Sequence, residues 1–313
     1  FLVVRNYSPE AKAAVIEELA KEKFDLIHAE TFYVMPHLPD TRVPILLVEQ
    51  TIEYLVYQHF VDTLNWIFLR PVLRLDVSKI RYWEEYYWQR ATRVVAMSEA
   101  DRNVMRSRIE NLHVSIVPNG VDNQFFSFRI KFPVKNAKIL FVGNFKWLQN
   151  REAVSELVYK IWPLVKQKLP QATLWIVGKF PTSEILALKS KRIEVSDSID
   201  DIRLAYERSQ LLLAPIYGPG GTRYKILEAM ASGLPVITTP QGIEGLGIID
   251  GKEALVRNDT TGMAEAVIEV LTNPKLYQKL ASEANALVRR IYNWKRIAAL
   301  LDSVYEEVAH EKH

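Results

Sequence analysis

Two kinds of segment alternate along the chain: short, mostly apolar runs, and longer stretches in which apolar residues recur every three or four positions. The short runs are typical of strands buried in a parallel sheet, and the longer spacing predicts amphipathic helices. The predicted strands cover residues 25–28, 43–48, 92–97, 113–117, 138–142, 172–177, 193–196, 211–216 and 235–239. The predicted helices cover residues 8–23, 52–90, 150–168, 183–190, 200–208, 222–232, 260–272, 274–291 and 295–309, with a further helix from Ser98.

These segments fall into two series, separated by an irregular stretch at about 123–136. Strands that alternate with helices form right-handed βαβ units and a parallel sheet, and 313 residues exceed the size of most single cores. We therefore predict an α/β protein with two doubly wound, Rossmann-like domains. Because ligands of such folds bind at the carboxyl ends of the strands, we expect the site in the cleft between the domains.

Composition narrows the classes of ligand. The formal net charge is +3, a mild basic excess that argues against DNA or RNA as the main ligand and fits a small phosphorylated ligand or an anionic membrane surface. The chain has no cysteine, which excludes thiol nucleophiles, disulfides and thiolate metal sites.

A glycine-rich segment, GPGGTRYKILEAMASG, follows the predicted strand 211–216. Gly220, Gly221 and Thr222 precede a helix whose first N–H groups would favour a phosphate. The cations Arg223 and Lys225 could add charge-assisted hydrogen bonds. Glu228 could accept hydrogen bonds from a ribose diol. The alternative is a simple turn, with Lys225 and Glu228 as an ordinary helix-surface pair.

The segment LEAMASGLPVITT, residues 227–239, resembles the signature helix and strand of GT-B glycosyltransferases of the group 1, family four type. The resemblance extends over most of the chain from Asp25 onward. Further matching segments are VVAMSEAD (94–101), VSIVPNGVD (114–122), KILFVGNFKW (138–147), TLWIVGK (173–179), QGIEGL (241–246) and YNWKRIAALLDSVYEEV (292–308).

The resemblance implies a GT-B fold of two facing Rossmann-like domains. We assign 1–130 to an acceptor-side domain, 131–291 to a nucleotide-sugar donor domain and 292–313 to a terminal helix that crosses back to the first domain. The family's first strand and glycine-rich acceptor loop have no counterpart before Phe1, so we expect native sequence to be missing there and the first domain to be incomplete.

The implied activity is transfer of a hexose-type sugar from a nucleotide-diphosphate sugar, of the UDP or GDP type, to a saccharide or lipid-linked acceptor. Family members retain the anomeric configuration and require no metal, and we expect no cofactor. One alternative is a family relative that binds nucleotide sugar, or a partner subunit, without turnover. Another is a GT-B epimerase or phosphorylase, whose acidic and histidine catalytic groups or pyridoxal lysine we cannot place.

Carried onto this sequence, the family pattern gives Glu228 to the ribose, the backbone of Gly220, Gly221 and Thr222 to the diphosphate, and the segment 195–197 to the base. The expected donor-binding residues are Gly143, Asn144, Lys146, Val195, Gly220, Gly221, Thr222, Arg223, Lys225 and Glu228. The expected catalytic residues are His28, Gln50 and Lys225.

Several of these positions depart from the family pattern. Gly220 stands where the family carries its first, sugar-binding glutamate, and Asn144 replaces an arginine after the strand-end Gly143. Gln50 replaces a common histidine, and an amide cannot act as a base. His28 is expected at a strand end facing the cleft, or else packed beneath a loop. Lys146, Arg223 and Lys225 are the cations that could neutralise phosphate instead.

An aromatic and basic region covers residues 54–90, and it has two interpretations. Such a helix could lie in a membrane interface, or its rings could pack on the first sheet. The stretch contains too many polar residues to span a bilayer. We expect a cytoplasmic protein, with peripheral contact at the inner membrane face as the alternative that this region raises.

Overall fold

The computed structural model describes residues 6–64, 66–131, 136–219 and 223–311. The described chain divides into two compact units. The first contains residues 6–119, residue 219 and residues 295–311, and the second contains residues 120–218 and 223–294.

The first unit is built on a parallel sheet with the strand order β1-β2-β3-β4. The strands are β1 (Ile27–Glu30), β2 (Ile45–Glu49), β3 (Arg93–Ala96) and β4 (Val114–Ile116). The helices are α1 (Pro9–Lys21), α2 (Glu53–Thr63), α3 (Arg70–Arg90), α4 (Glu99–Arg108) and α13 (Trp294–His310), with single 3-10 segments at Phe32–His37 and Ile67–Leu69. Residue 294 is assigned to the second unit and the rest of α13 to the first.

Successive residues of the first sheet point to opposite cores, as the period of a strand requires. Leu47 and Val94 face one core, which α3 and α4 complete with Trp88 and Met105. Their neighbours Leu46, Val48 and Val95 face a second core with residues of α13, namely Ile297, Val304 and Val308. Both faces of the sheet are therefore covered.

The second unit carries a parallel sheet with the order β10-β9-β8-β5-β6-β7. Its strands are β5 (Lys138–Asn144), β6 (Thr173–Lys179), β7 (Ile193–Asp197), β8 (Leu211–Ala214), β9 (Val236–Thr238) and β10 (Leu255–Val256). Its helices are α5 (Leu148–Glu156), α6 (Trp162–Lys168), α7 (Ser183–Leu186), α8 (Arg203–Glu207), α9 (Tyr224–Ala231), α10 (Pro240–Ile243), α11 (Thr260–Thr272) and α12 (Pro274–Ile291). Ile139 and Phe141 of β5 face one core while Leu140 faces the other, so this sheet is also buried on both faces. The predicted α/β class with two parallel sheets is confirmed.

The units divide at Asn119 and Gly120 rather than at the predicted boundary 130/131. The irregular stretch after Gly120 belongs to the second unit because it packs there. Phe126 is buried in one of that unit's cores, and the amine of Lys131 donates hydrogen bonds to the backbone carbonyls of Tyr206 and Ser209.

Residues 52–90 are not one helical region. The helix α2 ends at Thr63, a 3-10 segment follows at Ile67–Leu69, and α3 begins at Arg70. Pro71 occupies the first turn of α3, where its missing N–H costs nothing. The N-cap residue of α2, Ile52, makes no side-chain hydrogen bond to the first N–H groups of the helix. The buried carboxylate of Glu84 in α3 accepts the backbone N–H groups of Glu53 and Tyr54 instead, at 2.7 and 2.8 Å.

Candidate nucleotide-binding site

The carboxyl ends of β5 and β6 lie unusually close together. Gly143 pairs with Gly178, and a Cβ added to Gly178 would lie 1.7 Å from the carbonyl oxygen of Gly143. Neither strand could end this way with a side chain at Gly178. Beyond β5 the chain turns at Asn144, whose Oδ1 accepts the backbone N–H of Lys146 at 3.0 Å.

A cavity of about 580 Å³ opens at these strand ends, within the second unit. Its volume is in the range of small-molecule sites. It is lined by the ends of β5 and β6, by the segment that follows β7, and by one carboxylate from α9. The lining residues are Phe125, Val142, Gly143, Asn144, Val177, Gly178, Lys179, Ser198, Ile199, Asp200, Asp201, Ile202, Arg203 and Glu228.

Glu228 is the acidic group that α9 contributes to this cavity. The fully buried Tyr206 donates a hydrogen bond from its hydroxyl to Glu228 Oε2 at 2.6 Å. Burial raises the pKa of Glu228, and the Tyr206 hydrogen bond and the charge of Lys225 oppose that shift. The hydrogen bond from Tyr206 therefore holds the carboxylate through one of its two oxygens. Glu228 lines this cavity, and its expected contact with a ribose stays a prediction.

Lys225 lies on the same helix and is tied to the end of β5. Its Nζ donates to Asn150 Oδ1 at 2.6 Å, and the amide nitrogen of Asn150 donates to the backbone carbonyl of Asn144 at 2.8 Å. The amine also lies 4.6 Å from the ring centroid of Phe141. Burial, together with the charge of Arg223, lowers the pKa of Lys225 to about 7, and the charge of Glu228 opposes this shift.

Arg223 is buried and contacts the protein itself. Its guanidinium donates to the carbonyl of Gly218 at 2.9 Å and to that of Gln241 at 3.4 Å. Its position therefore stabilises the chain on either side of the glycine-rich segment. Gly220, Gly221 and Thr222 lie outside the described residues, so their predicted phosphate contacts remain predictions.

Two other expected donor-binding residues, Lys146 and Val195, do not line the cavity. Lys146 is exposed, with its amine 3.8 Å from the ring centroid of Phe180. Val195 lies within β7, which extends through Asp197, and it packs against a core of the second unit instead of lining the cavity. The register that pairs Val195 with Ile176 carries β7 up to Asp197. The residues that reach the cavity are those just after it, 198–203.

The expected catalytic residues His28 and Gln50 lie in the first unit. His28 is exposed on β1, and its Nδ1 is hydrogen-bonded to the hydroxyl of Tyr305 in α13 at 2.5 Å. Gln50 follows β2, where its amide nitrogen donates to Glu30 at 2.6 Å and its oxygen accepts from Asn119 at 2.7 Å. Both polar ends of the amide are used. Lys225, the third expected catalytic residue, belongs to the second unit.

Sequence reasoning missed three contributors to the site. Tyr206 and Asn150 hold Glu228 and Lys225, and Arg203 lies with its guanidinium carbon 4.3 Å from the ring centroid of Phe125 on the cavity wall. The pattern marked residues 200–208 only as a helix after a strand. These residues follow the carboxyl end of β7, where ligands of parallel sheets bind, and this position could have indicated that they contact a ligand.

In residues 6–64, 66–131, 136–219 and 223–311, no group of three or more histidine and acidic side chains is placed to hold a metal ion. Nor does any helix in these ranges combine the length and apolar character needed to cross a membrane.

Comparison with known families covers both units. Residues 136–273 match the sequence model of the family described as Glycosyl transferases group 1. Residues 3–125 match the one described as Glycosyltransferase Family 4.

Among curated proteins, the chain is similar to a phosphatidyl-myo-inositol mannosyltransferase of Mycobacterium tuberculosis, with 28% identity over 210 residues, 62% of this chain and 54% of the relative. The chain spans about half the length of the curated relatives it matches first.

Among solved structures, it is similar to a sucrose-phosphate synthase from Thermosynechococcus elongatus, with a TM-score of 0.72, 20% identity, and coverage of 96% of this chain and 77% of that one. It is also similar to Anabaena HepE in complex with UDP and glucose, with a TM-score of 0.67, 16% identity and coverage of 96% and 81%. These likenesses show a shared fold. The two family matches together identify the chain as a glycosyltransferase, and the likenesses to solved structures show its GT-B fold.

Proposed function

We propose that the protein transfers a sugar from a nucleotide-diphosphate donor to a saccharide or lipid-linked acceptor, with retention of anomeric configuration. The observation that carries the proposal is the carboxylate of Glu228, which lines the cavity at the ends of β5 and β6 and is held there by Tyr206. A carboxylate fixed through one oxygen leaves the other free to accept hydrogen bonds from the vicinal hydroxyls of a ribose.

The other walls of the cavity suit the rest of a nucleotide. The backbone of residues 198–203 and the Phe125 ring, over which Arg203 lies, offer polar groups and an aromatic face to a base. Close approach of a ligand to the strand ends is favoured by Gly143 and Gly178, which have no side chains. A nucleoside placed this way would direct its diphosphate toward the start of α9.

Charge at the start of α9 suits a leaving diphosphate. Negative charge builds up on the departing phosphate as the sugar passes through an oxocarbenium-like state. The N–H groups at the start of α9 and the amine of Lys225 are fixed donors of the kind that stabilise such charge. In the mechanism that the family implies, the departing phosphate oxygen takes the acceptor's proton on the same face, so no enzymic nucleophile is required.

A second candidate function is nucleotide-sugar binding without turnover. It is favoured by Gln50, because its amide is engaged at both ends by Glu30 and Asn119 and cannot take up a proton. The two functions predict the same donor binding and differ in product formation.

The test combines thermal stabilisation with turnover. UDP, GDP and ADP, and then their sugars, are added to the protein, to Glu228→Ala and to Glu265→Ala, whose glutamate is exposed on α11 outside the cavity. We expect at least one nucleotide to raise the melting temperature of the wild type and of Glu265→Ala but not of Glu228→Ala. No shift with any nucleotide would reject the donor site. A shift without release of nucleotide from its sugar, in the presence of saccharide and lipid-linked acceptors, would favour binding alone.

A further inference from the structure

An exposed apolar surface lies on the first unit, around the start of α3. It is formed by the 3-10 segment Ile67–Leu69, the residue before it, and one side of α3. We call it the α3 surface. Its six most exposed members and their exposed fractions are Trp66 62%, Ile67 69%, Phe68 72%, Val72 63%, Leu75 62% and Tyr82 60%.

This surface is separate from the face that α3 buries. Ile80, Tyr87 and Trp88 point into the core beneath the first sheet and are at most 8% exposed. Val72, Leu75, Tyr82 and Tyr86 recur three, seven and four positions apart, so they lie along the opposite side of the helix as an apolar stripe that Lys79 interrupts. Packing against the sheet, one of the two sequence interpretations, therefore accounts for some of the aromatic residues and leaves this stripe exposed.

An exposed apolar stripe of this length needs a partner. Residues 66–90 contain the 3-10 segment and α3. In addition to Trp66, five aromatic or aliphatic side chains of these two elements are at least 60% exposed. Isolated exposed apolar residues are common on protein surfaces, but a group of them on one side of a helix calls for an explanation.

The charges around the stripe are mixed, with a small positive excess. Residues 66–90 contain five cationic and three acidic side chains, and one of the three, Glu84, is fully buried. The cationic residues are Arg70, Arg74, Lys79, Arg81 and Arg90. Four of these cations form an ion pair: Arg74 with Asp62, Lys79 with Asp76, Arg81 with Glu85 and Arg90 with Asp40. The cationic side chains in these pairs are at least 42% exposed. Such pairs contribute little and exchange readily for another anion.

We propose that the α3 surface docks on an anionic lipid bilayer. Trp66, Ile67 and Phe68 would enter the boundary between headgroups and acyl chains, with α3 lying along the interface. Trp and Tyr rings are favoured at that depth, and lysine and arginine can extend to lipid phosphates while their stems remain in the apolar layer. Anionic headgroups match the positive charge of the stripe, whereas a neutral apolar partner would leave it unmatched.

This proposal is independent of the donor site in the second unit. Donor binding could fail while the α3 surface still binds lipid, and the reverse also holds. If both hold, the first unit would reach acceptors that are embedded in the same bilayer.

The test is co-sedimentation of the full chain with vesicles of phosphatidylcholine, with and without phosphatidylglycerol. The variant is Trp66→Ser with Phe68→Ser, and the matched control is Tyr159→Ser, which removes a ring that is 67% exposed in the second unit. We expect binding to the anionic vesicles, a loss of about tenfold or more in the double variant because two apolar side chains no longer leave water, and no change in the control.

A charge variant, Arg74→Glu with Lys79→Glu, separates the electrostatic contribution. We expect the charge variant to bind the phosphatidylglycerol vesicles more weakly than the wild type does. We also expect added salt to weaken the binding of the wild type to these vesicles. Circular dichroism of each variant verifies that it is folded.

Three results would overturn the proposal. The first is no sedimentation of the wild type with either vesicle, and the second is an equal loss of binding in the Tyr159→Ser control. The third is a wild-type dimer in sedimentation velocity that the Trp66 and Phe68 double variant dissociates, without vesicle binding. That result would assign the α3 surface to contact between two copies of the chain.

Discussion

Tyr206 donates a hydrogen bond of 2.6 Å to Glu228, and this contact joins α8 to α9 beside the cavity at the ends of β5 and β6. Tyr206 is fully buried, so its hydroxyl has a fixed position. The orientation of the carboxylate that we assign to a ribose is therefore set by a residue that does not itself line the cavity.

Replacing Tyr206 by Phe should lower nucleotide affinity as well as stability. A hydrogen bond to a charged group contributes about 1.5 to 3 kcal/mol, so we expect the free energy of unfolding to fall by about that amount and the nucleotide Kd to rise by about three- to tenfold. Urea denaturation and calorimetric titration measure the two effects. The matched control is Tyr277→Phe, which removes a buried hydroxyl bonded to the carbonyl of Gln210 at 2.6 Å, away from the cavity. A similar rise in Kd in the control would contradict a positioning role for Tyr206.

Nucleotide binding should weaken as pH rises through about 7. Burial lowers the pKa of Lys225 to about 7, so its amine loses its proton near neutral pH in the free protein. A diphosphate binds the protonated amine better, which means that binding takes up a proton and that the Kd increases from pH 6 to pH 8. Titrations across this range measure the slope. Lys225→Met should bind more weakly at pH 6 and show a flatter profile, and an unchanged slope in this variant would assign the dependence to another group.

Gly178→Ala should strongly destabilise the second unit. The added Cβ would lie 1.7 Å from the carbonyl oxygen of Gly143, so the two strands must separate where they form the cavity. We expect a loss of about 3 kcal/mol or more in the free energy of unfolding. Gly262→Ala in α11 is the control, because its added Cβ lies 3.3 Å from its nearest neighbour, a carboxylate oxygen of Asp259, and we expect a change of less than about 1 kcal/mol there. Equal effects of the two substitutions would show that β5 and β6 do not need this close approach.

The stability of the first unit should decrease as pH rises from about 5 to about 8. Burial raises the pKa of Glu84 from its ordinary value of 4.5 to about 8. Between these values the folded state holds a proton that the unfolded state has released, so the free energy of unfolding falls with pH, by on the order of a few kcal/mol.

Urea denaturation at pH 5 and pH 8 measures this decrease. Glu84→Gln should be less stable than the wild type at pH 5, because its amide nitrogen cannot accept one of the two N–H groups at the start of α2. Its stability should change less between the two pH values. A variant with the full wild-type slope would exclude Glu84 as the titrating group.

Local sequence rules predicted most elements because their signals lie within a few residues. Ser8 before Pro9 predicted the start of α1, and in the structure the Ser8 hydroxyl accepts the N–H of Ala11. The same holds for α11, which covers the predicted 260–272, and for α12 at 274–291. The signal fails where a distant residue acts, as at the start of α2, which is capped by Glu84 about thirty residues later.

The site was predictable in part for the same reason. Glu228 and the strand-end Gly143 belong to segments with a family pattern, and the structure places both on the cavity wall. Tyr206 and Asn150 act through contacts that join separate elements, and no local spacing marks them. Val195 was expected beside the ligand, but it lies inside β7 and packs against a core, and the residues that line the cavity begin at Ser198.

The central claim is that Glu228 binds the ribose of a nucleotide donor. Calorimetric titration tests it most directly, with the nucleoside diphosphate that stabilises the protein best and its 2′,3′-dideoxy analogue, each against the wild type and Glu228→Ala. We expect the wild type to bind the analogue about ten- to a hundredfold more weakly, since hydrogen bonds to a charged group are lost, and Glu228→Ala to bind both ligands equally. If loss of the hydroxyls weakens binding by the same factor in both proteins, Glu228 does not contact the ribose.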